Sequence, residues 1–363
     1  MARSTGGVGR DVAIVATAQR PSEIGSSFTS VELLLPVIDD VIKKSGVERS
    51  DIDFWCHGSC DYMSGQPFSF VAAVDAIGAW PPIIESHVEA DGALALYEAW
   101  VKIQTGEADV ALVFANGKTT SGPIDRILTL QADPYFVAPL WPGFTALAAL
   151  QARMCLESGV VSEREMAEVA VRSHRDGRAN PIAAAHGSLL AADLTVDDLM
   201  GRPRTLDPLR AHDCGIPVDG TNAVLLAAGD VARKLHSRPA WISGIDHRID
   251  TQRLGARSMT VSDSARIAAE RAGVGADRID VAELHAPFTH QEVLLRQALG
   301  LNESTQVNPS GGALVANPAM AAGLARFAEA AERIMAGTAD RAVAHCTSGP
   351  CLQQNLVCVM EGE

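Results

Sequence analysis

The chain states one pattern of strands and helices twice. Asp11–Arg20 (DVAIVATAQR) is echoed by Pro239–Arg248 (PAWISGIDHR). Asp51–Ser59 (DIDFWCHGS) is echoed by Arg278–Pro287 (RIDVAELHAP). Asp109–Gly117 (DVALVFANG) pairs with Arg341–Gly349 (RAVAHCTSG), and Ala223–Asp230 (AVLLAAGD) with Leu356–Glu363 (LVCVMEGE). A repeated order of strand, helix, strand, helix, strand, strand restricts the fold to two copies of one α/β unit. The division predicted is an N-terminal half at 1–239 and a C-terminal half at 240–363. The first half carries a Pro-, Arg- and polar-rich insertion at about 117–215, which reads as a loop domain.

The strand segments are almost wholly apolar rather than alternating, as expected where both faces of a sheet are covered. Helices are predicted at 30–45, 91–105, 264–272, 289–299 and 318–336, with Pro36 either kinking the first or marking its first turn. Gly106 and Gly337 are well placed as stops, and Pro318 as a first helical residue. The chain is 47% hydrophobic but only 5% aromatic, so this core is built from Ala, Val, Leu and Ile. That composition excludes disorder, and no apolar run reaches the length of a membrane span.

Net charge is −14, which disfavours nucleic acid and anionic lipid as partners. The N-terminus, MARSTGGVGR, lacks an apolar signal core, and seven scattered cysteines suggest reduced thiols; a cytoplasmic protein is expected. Gly6, Gly7 and Gly9 precede the first strand instead of following it, so they do not make a dinucleotide fingerprint. No P-loop and no GxSxG nucleophile elbow occur. Cys56-His57-Gly58-Ser59-Cys60 lacks a second ligand pair at suitable spacing, so no metal is expected.

Polar residues gather instead in four loops rich in small residues. These are Glu85–Gly92 (ESHVEADG), Glu283–Phe288 (ELHAPF), Val307–Gly312 (VNPSGG) continuing to Ala316-Asn317-Pro318, and His345–Pro350 (HCTSGP). With Val218–Leu226 (VDGTNAVLL), Asp51–Tyr62 (DIDFWCHGSCDY), Asp133–Pro142 (DPYFVAPLWP) and His285–Gln291 (HAPFTHQ), they make the chain resemble the thiolase superfamily. The similarity is to its branch of sterol-carrier-protein X and actinobacterial lipid-transfer-protein-like members, and it covers nearly the whole chain. The resemblance implies a duplicated five-layered αβαβα core. It also implies a coenzyme A thioester as substrate, with no covalently bound cofactor.

The departures from the family pattern bear on mechanism. Where thiolases carry a nucleophilic cysteine in CxSG, this chain reads Glu89-Ala90-Asp91-Gly92. Without that thiol the acyl-enzyme route is closed. The histidine of the family's GHP is replaced by Asn317. His285 matches the histidine of the sterol-carrier HDxF loop, and Cys346 falls at the acid/base cysteine of CxG. The resemblance therefore implies an aldolase: retro-aldol cleavage of a β-hydroxyacyl-CoA bearing a steroid side chain, in sterol catabolism. His285 and Asn317 are candidate donors to the thioester oxygen. Glu89 is the candidate base, assisted by Cys346 or His345. Gly311, Gly312, Ser348 and Gly349 are candidate substrate-binding residues, with Arg175 and Arg178 in the region where relatives hold the phosphates of coenzyme A.

From the residues alone each has a plainer role. His285 can orient loops, Asn317 can cap a helix, and Glu89 beside Asp91 can complement a helix dipole. Cys346 can be a small buried hydrophobe, and Arg175 and Arg178 a solvated helix face. The resemblance also admits a catalytically degenerate scaffold subunit, because no tyrosine falls on these loops, or a lipid or acyl-CoA carrier without chemistry. Partners implied are a second copy or a thiolase-like paralogue, paired through the strand near Ile83–Val88, and a zinc-ribbon/OB-fold protein.

Overall fold

A computed structural model describes residues 9–65, 67–183 and 189–363. Gly6 and Gly7 lie outside the described residues. The first run of elements is β1 (Val12–Gln19), α1 (Ser30–Ser45), β2 (Phe54–Ser59), β3 (Glu85–Glu89), α2 (Gly92–Gln104) and β4 (Val110–Lys118). The insertion supplies α3 (Phe144–Ser158) and α4 (Glu163–Gly177), and β5 (Asp219–Ala228) closes the run. The second run is β6 (Ala240–Ile249), α5 (Asp263–Ala272), β7 (Val281–Leu284), α6 (Thr289–Ala298), β8 (Gln306–Val307), α7 (Ala322–Met335), β9 (Arg341–Ser348) and β10 (Gln354–Glu361).

The strands form one ten-stranded sheet in the order β8-β7-β9-β10-β6-β1-β5-β4-β2-β3. Read outward from the β6–β1 junction, both runs place their first strand beside their last, then fourth, second and third. Parallel and antiparallel pairings repeat as well: β2 is parallel to β3 and β4, and β7 to β8 and β9. The runs meet edge to edge where Ala13 faces Trp241 and Ile14 faces Ala240.

Side-chain alternation along these strands builds the layers. On β5, Val224 and Leu226 enter the central core while Ala223 and Leu225 pack outward. On β10, Leu356 and Cys358 point inward and Val357 and Val359 outward. The central core holds α2 and α7 between the two sheet halves, through Ala93, Leu96, Ala99, Leu324, Phe327 and Ala331. α1 covers one outer face, and α5 and α6 the other. The result is five layers, αβαβα. Alanine suits the central helices because two sheets must approach them closely. At one point even alanine is too large: a Cβ on Gly58 would lie 2.5 Å from the Gly92 Cα.

Local signals explain most element ends. α1 starts at a capping box, Thr29 with Glu32, and ends on left-handed Gly46; Pro36 sits inside it on the exposed side. Three features differ from what composition and periodicity alone suggest. The polar segment Glu85–Glu89, a loop by its polarity, is an edge strand, where the resemblance places a strand near Ile83–Val88. α7 begins at Ala322, not Pro318, because the Asn317 amide donates to the Ile216 carbonyl at 3.0 Å and the Ala319 amide to Thr119 Oγ1 at 2.8 Å. The helices of the insertion share an apolar cluster with α5 and α6, through Ala148, Ala152, Met166 and Val169.

Candidate functional site

Parallel strands deliver their loops to one edge of a sheet, which is where α/β folds place ligand sites. The loops after β7 and β9 and the N-terminus of α2 converge on a cleft of about 940 Å³, open mouth included. Its walls are mainly apolar, including Ile124, Leu128, Phe144, Phe288 and Leu352. His285, Asn317, Ser348 and Gly349 line it, as does Asp91. Among the described residues no Lys or Arg lines it.

At its base the ligating atoms of Asp91, His285 and Cys346 lie within 4.8 Å of one another, all buried. His285 Nδ1 is 3.8 Å from Cys346 Sγ and accepts a long 3.5 Å bond from the Thr347 amide. An amide can only donate, so the proton of the neutral ring sits on Nε2. Burial, aided by the Arg326 guanidinium, pushes His285 down to about 4, while its bond with Asn317 pulls the other way. Burial and the neighbouring Asp91 hold the Cys346 thiol well above its ordinary range.

Asp91 caps two helices with one carboxylate. Oδ1 accepts the Ala93 amide at 2.9 Å in α2 and the Leu324 amide at 2.9 Å in α7. Oδ2 accepts the Gly323 amide at 2.8 Å. Burial still raises its pKa, outweighing these donors. Aspartate, histidine and cysteine are donor types that hold zinc, although three amides already engage this carboxylate. The residue was legible as an N-cap, an Asp opening a helix, but nothing in its spacing reveals that it caps a second helix.

The remaining sequence candidates fall elsewhere. Glu89 ends β3, is half-exposed, and accepts the Asp61 amide at 2.8 Å; it borders a separate surface groove with His87 and Phe68, not the cleft. His345 precedes Cys346 on β9 and so points to the opposite face, bonded to Asn355 at 2.9 Å. Gly311 and Gly312 have positive φ, 93° and 67°, and shape a turn that does not line the cleft. That turn sets Ser310 onto buried Glu283, which also accepts from Arg326 at 2.7 Å. Asn308 of the same turn accepts the Leu284 amide at 2.6 Å and so fixes the loop bearing His285. Arg175 is exposed and paired with Asp176, and Arg178 caps the end of α4; neither borders the cleft. Arg172 instead pairs with buried Glu292.

No protein-family model matches the chain. It is 26% identical over 351 residues to an acetyl-CoA acetyltransferase of Methanothermobacter thermautotrophicus, covering 88% of this chain and 90% of that one. It is 26% identical over 304 residues to sterol carrier protein 2 of Gallus gallus, covering 70% of this chain and 54% of the relative. A solved Ltp2-ChsH2(DUF35) aldolase superposes with a TM-score of 0.79 at 18% identity, over 98% of both chains. No helix among the described residues is long and apolar enough to cross a membrane. The duplicated sheet, the five layers and these likenesses together give the chain the thiolase-superfamily fold.

Proposed function

We propose that the chain is a thiolase-like aldolase that cleaves a β-hydroxyacyl-CoA carrying a steroid side chain. The observation that carries this reading is the convergence of His285, Asn317, Cys346 and Asp91 at the base of an apolar cleft, with no cysteine at the mouth of α2. Asp91 takes over the base role for which Glu89 was the sequence candidate. The β-hydroxyl proton passes to Asp91, its oxygen closes to a carbonyl, and the Cα–Cβ bond breaks. The electron pair moves onto the thioester as an enolate, whose oxygen is held by His285 Nε2–H and Asn317. Positioned donors of this kind are worth about 3–4 kcal/mol. The Cys346 thiol protonates Cα, and the proton on Asp91 returns to the resulting thiolate. Ser348 and Gly349 flank the thioester, while the phosphates of coenzyme A stay outside a cleft that has no cationic wall.

A second reading is a scaffold subunit that shapes the pocket while a thiolase-like paralogue supplies the chemistry. It is favoured by Tyr62, Tyr97 and Tyr135 all lying off the cleft. The named Ltp2-ChsH2 assembly supports a partner protein, and the edge position of β3 leaves a strand on which a second copy or a paralogue can pair.

The test is retro-aldol cleavage of a steroid β-hydroxyacyl-CoA, followed by mass spectrometry, with and without a neighbouring paralogue. Release of the shortened acyl-CoA by the chain alone supports the enzyme, and release only with the paralogue supports the scaffold. Robust thiolysis of acetoacetyl-CoA overturns both. In whichever assembly turns over, His285→Ala is expected to lower kcat about 100-fold or more. An unchanged rate removes His285 from the chemistry.

A further inference from the structure

Gln291 borders the same cleft and takes no part in the chemistry proposed above. It sits in the first turn of α6 and is 2% exposed. Its Nε2 donates to Gln151 Oε1 at 3.0 Å, and its own Oε1 is a buried acceptor without a partner. Buried polar atoms are nearly always paired, so an orphan on a cleft wall needs an explanation.

The orientation of this amide is imposed from outside the cleft. Gln151 of α3 is fully buried, and its Nε2 donates to the backbone carbonyls of Met259 at 3.2 Å and Cys351 at 3.5 Å. Carbonyls only accept, so they fix which end of Gln151 carries the N–H groups. Its Oε1 must then face α6, where His290 Nε2 lies at 3.2 Å and Gln291 Nε2 at 3.0 Å. Gln291 therefore spends its donor end on Gln151 and keeps its acceptor end free.

We infer that Gln291 is a specificity-determining residue whose Oε1 accepts a hydrogen bond from a neutral O–H or N–H donor on the bound ligand. The inference rests on reading the cleft as an acyl-CoA site. A thioester ligand offers two sources of that donor: a hydroxyl on the acyl part, or an amide N–H of the pantetheine arm. A site built to pair a donor discriminates strongly against a ligand that lacks it.

The test measures binding by calorimetry, so it does not depend on turnover. The probes are 3-hydroxydecanoyl-CoA, decanoyl-CoA, pantetheine, and pantetheine N-methylated at its amides. With the wild-type protein, loss of about tenfold or more in affinity is expected on removing the hydroxyl or on methylating the amides. The pair that shows the loss identifies the source. Gln291→Met, which keeps the length of the side chain, is expected to erase that difference and leave the other pair unchanged. The wild-type comparison stands even where this variant does not fold. Equal affinities within both pairs overturn the inference while leaving the aldolase reading intact. Failure of every thioester to bind overturns the functional reading and the inference with it.

Discussion

Asp91 is where a single side chain has most to lose. Its carboxylate satisfies three buried amides from the first turns of α2 and α7 and faces Cys346 and His285 at the same time. Asp91→Ala leaves those donors unpaired, and a loss of about 3 kcal/mol or more in urea unfolding is expected. Asp91→Asn keeps one acceptor and should lose less, about 1–2 kcal/mol, while still abolishing cleavage. A variant that loses stability but retains full turnover would leave Asp91 as scaffold only. His285, Asn317, Cys346, Ser348 and Gly349 were legible as a group because each lies in a short polar motif among small residues. Glu89 misled for a geometric reason: it is still within β3, paired in register with Ser59, and strand alternation turns it outward. Two residues later the strand has ended and Asp91 turns in.

The seat of α2 on β2 has no slack. A Cβ on Gly58 would meet the Gly92 Cα at 2.5 Å and the Gly92 nitrogen at 2.6 Å, both backbone atoms that cannot rotate aside. Gly58→Ala must push the helix away from the strand and carry Asp91 with it. A destabilisation of about 1–3 kcal/mol is expected, with reduced thioester affinity in the same calorimetric assay. Gly255→Ala is the control: nothing lies within 4 Å of that Cβ, and no change beyond about 0.5 kcal/mol is expected. If the two variants melt together, the contact is softer than its geometry. At this scale periodicity found the buried strands and the amphipathic helices, since those faces are fixed by the core. It missed β3 because an edge strand needs no apolar run, and β8 because two residues carry no period. It started α7 too early because residues 317–320 are spent on tertiary bonds to the opposite wall, which local propensity does not encode.

For the molecule as a whole, duplication made the sheet legible, because each copy confirms the strand spacing of the other. The cleft was less so: Phe144, Thr145, Cys214 and Gly215 reach it from two stretches of the insertion that lie outside its one quoted motif and meet only after folding. Burial on this scale also sets the response to acid. His57, His290 and His345 are pushed down to about 3, and His174 and His285 to about 4, in every case first by burial. Unfolded, each takes up a proton as pH falls below about 6.5, while the folded protein refuses it until pH 4 or lower. The unfolded state therefore binds more protons in that window, and stability falls with pH by up to about 1.4 kcal/mol per unit per histidine. Asp91 and Glu283, raised by burial, act in the opposite sense, since the folded state holds their protons more readily. His212 and His247, also lowered by burial, join the five, and Glu85, also raised by burial, joins the two; seven groups against three give a net loss, so Tm should drop steeply from pH 6.5 to 4.5. His345→Gln, which can still bond to Asn355, should make that slope shallower. A Tm that stays level across this range would mean that these rings are protonated inside the fold, and the burial argument would fail.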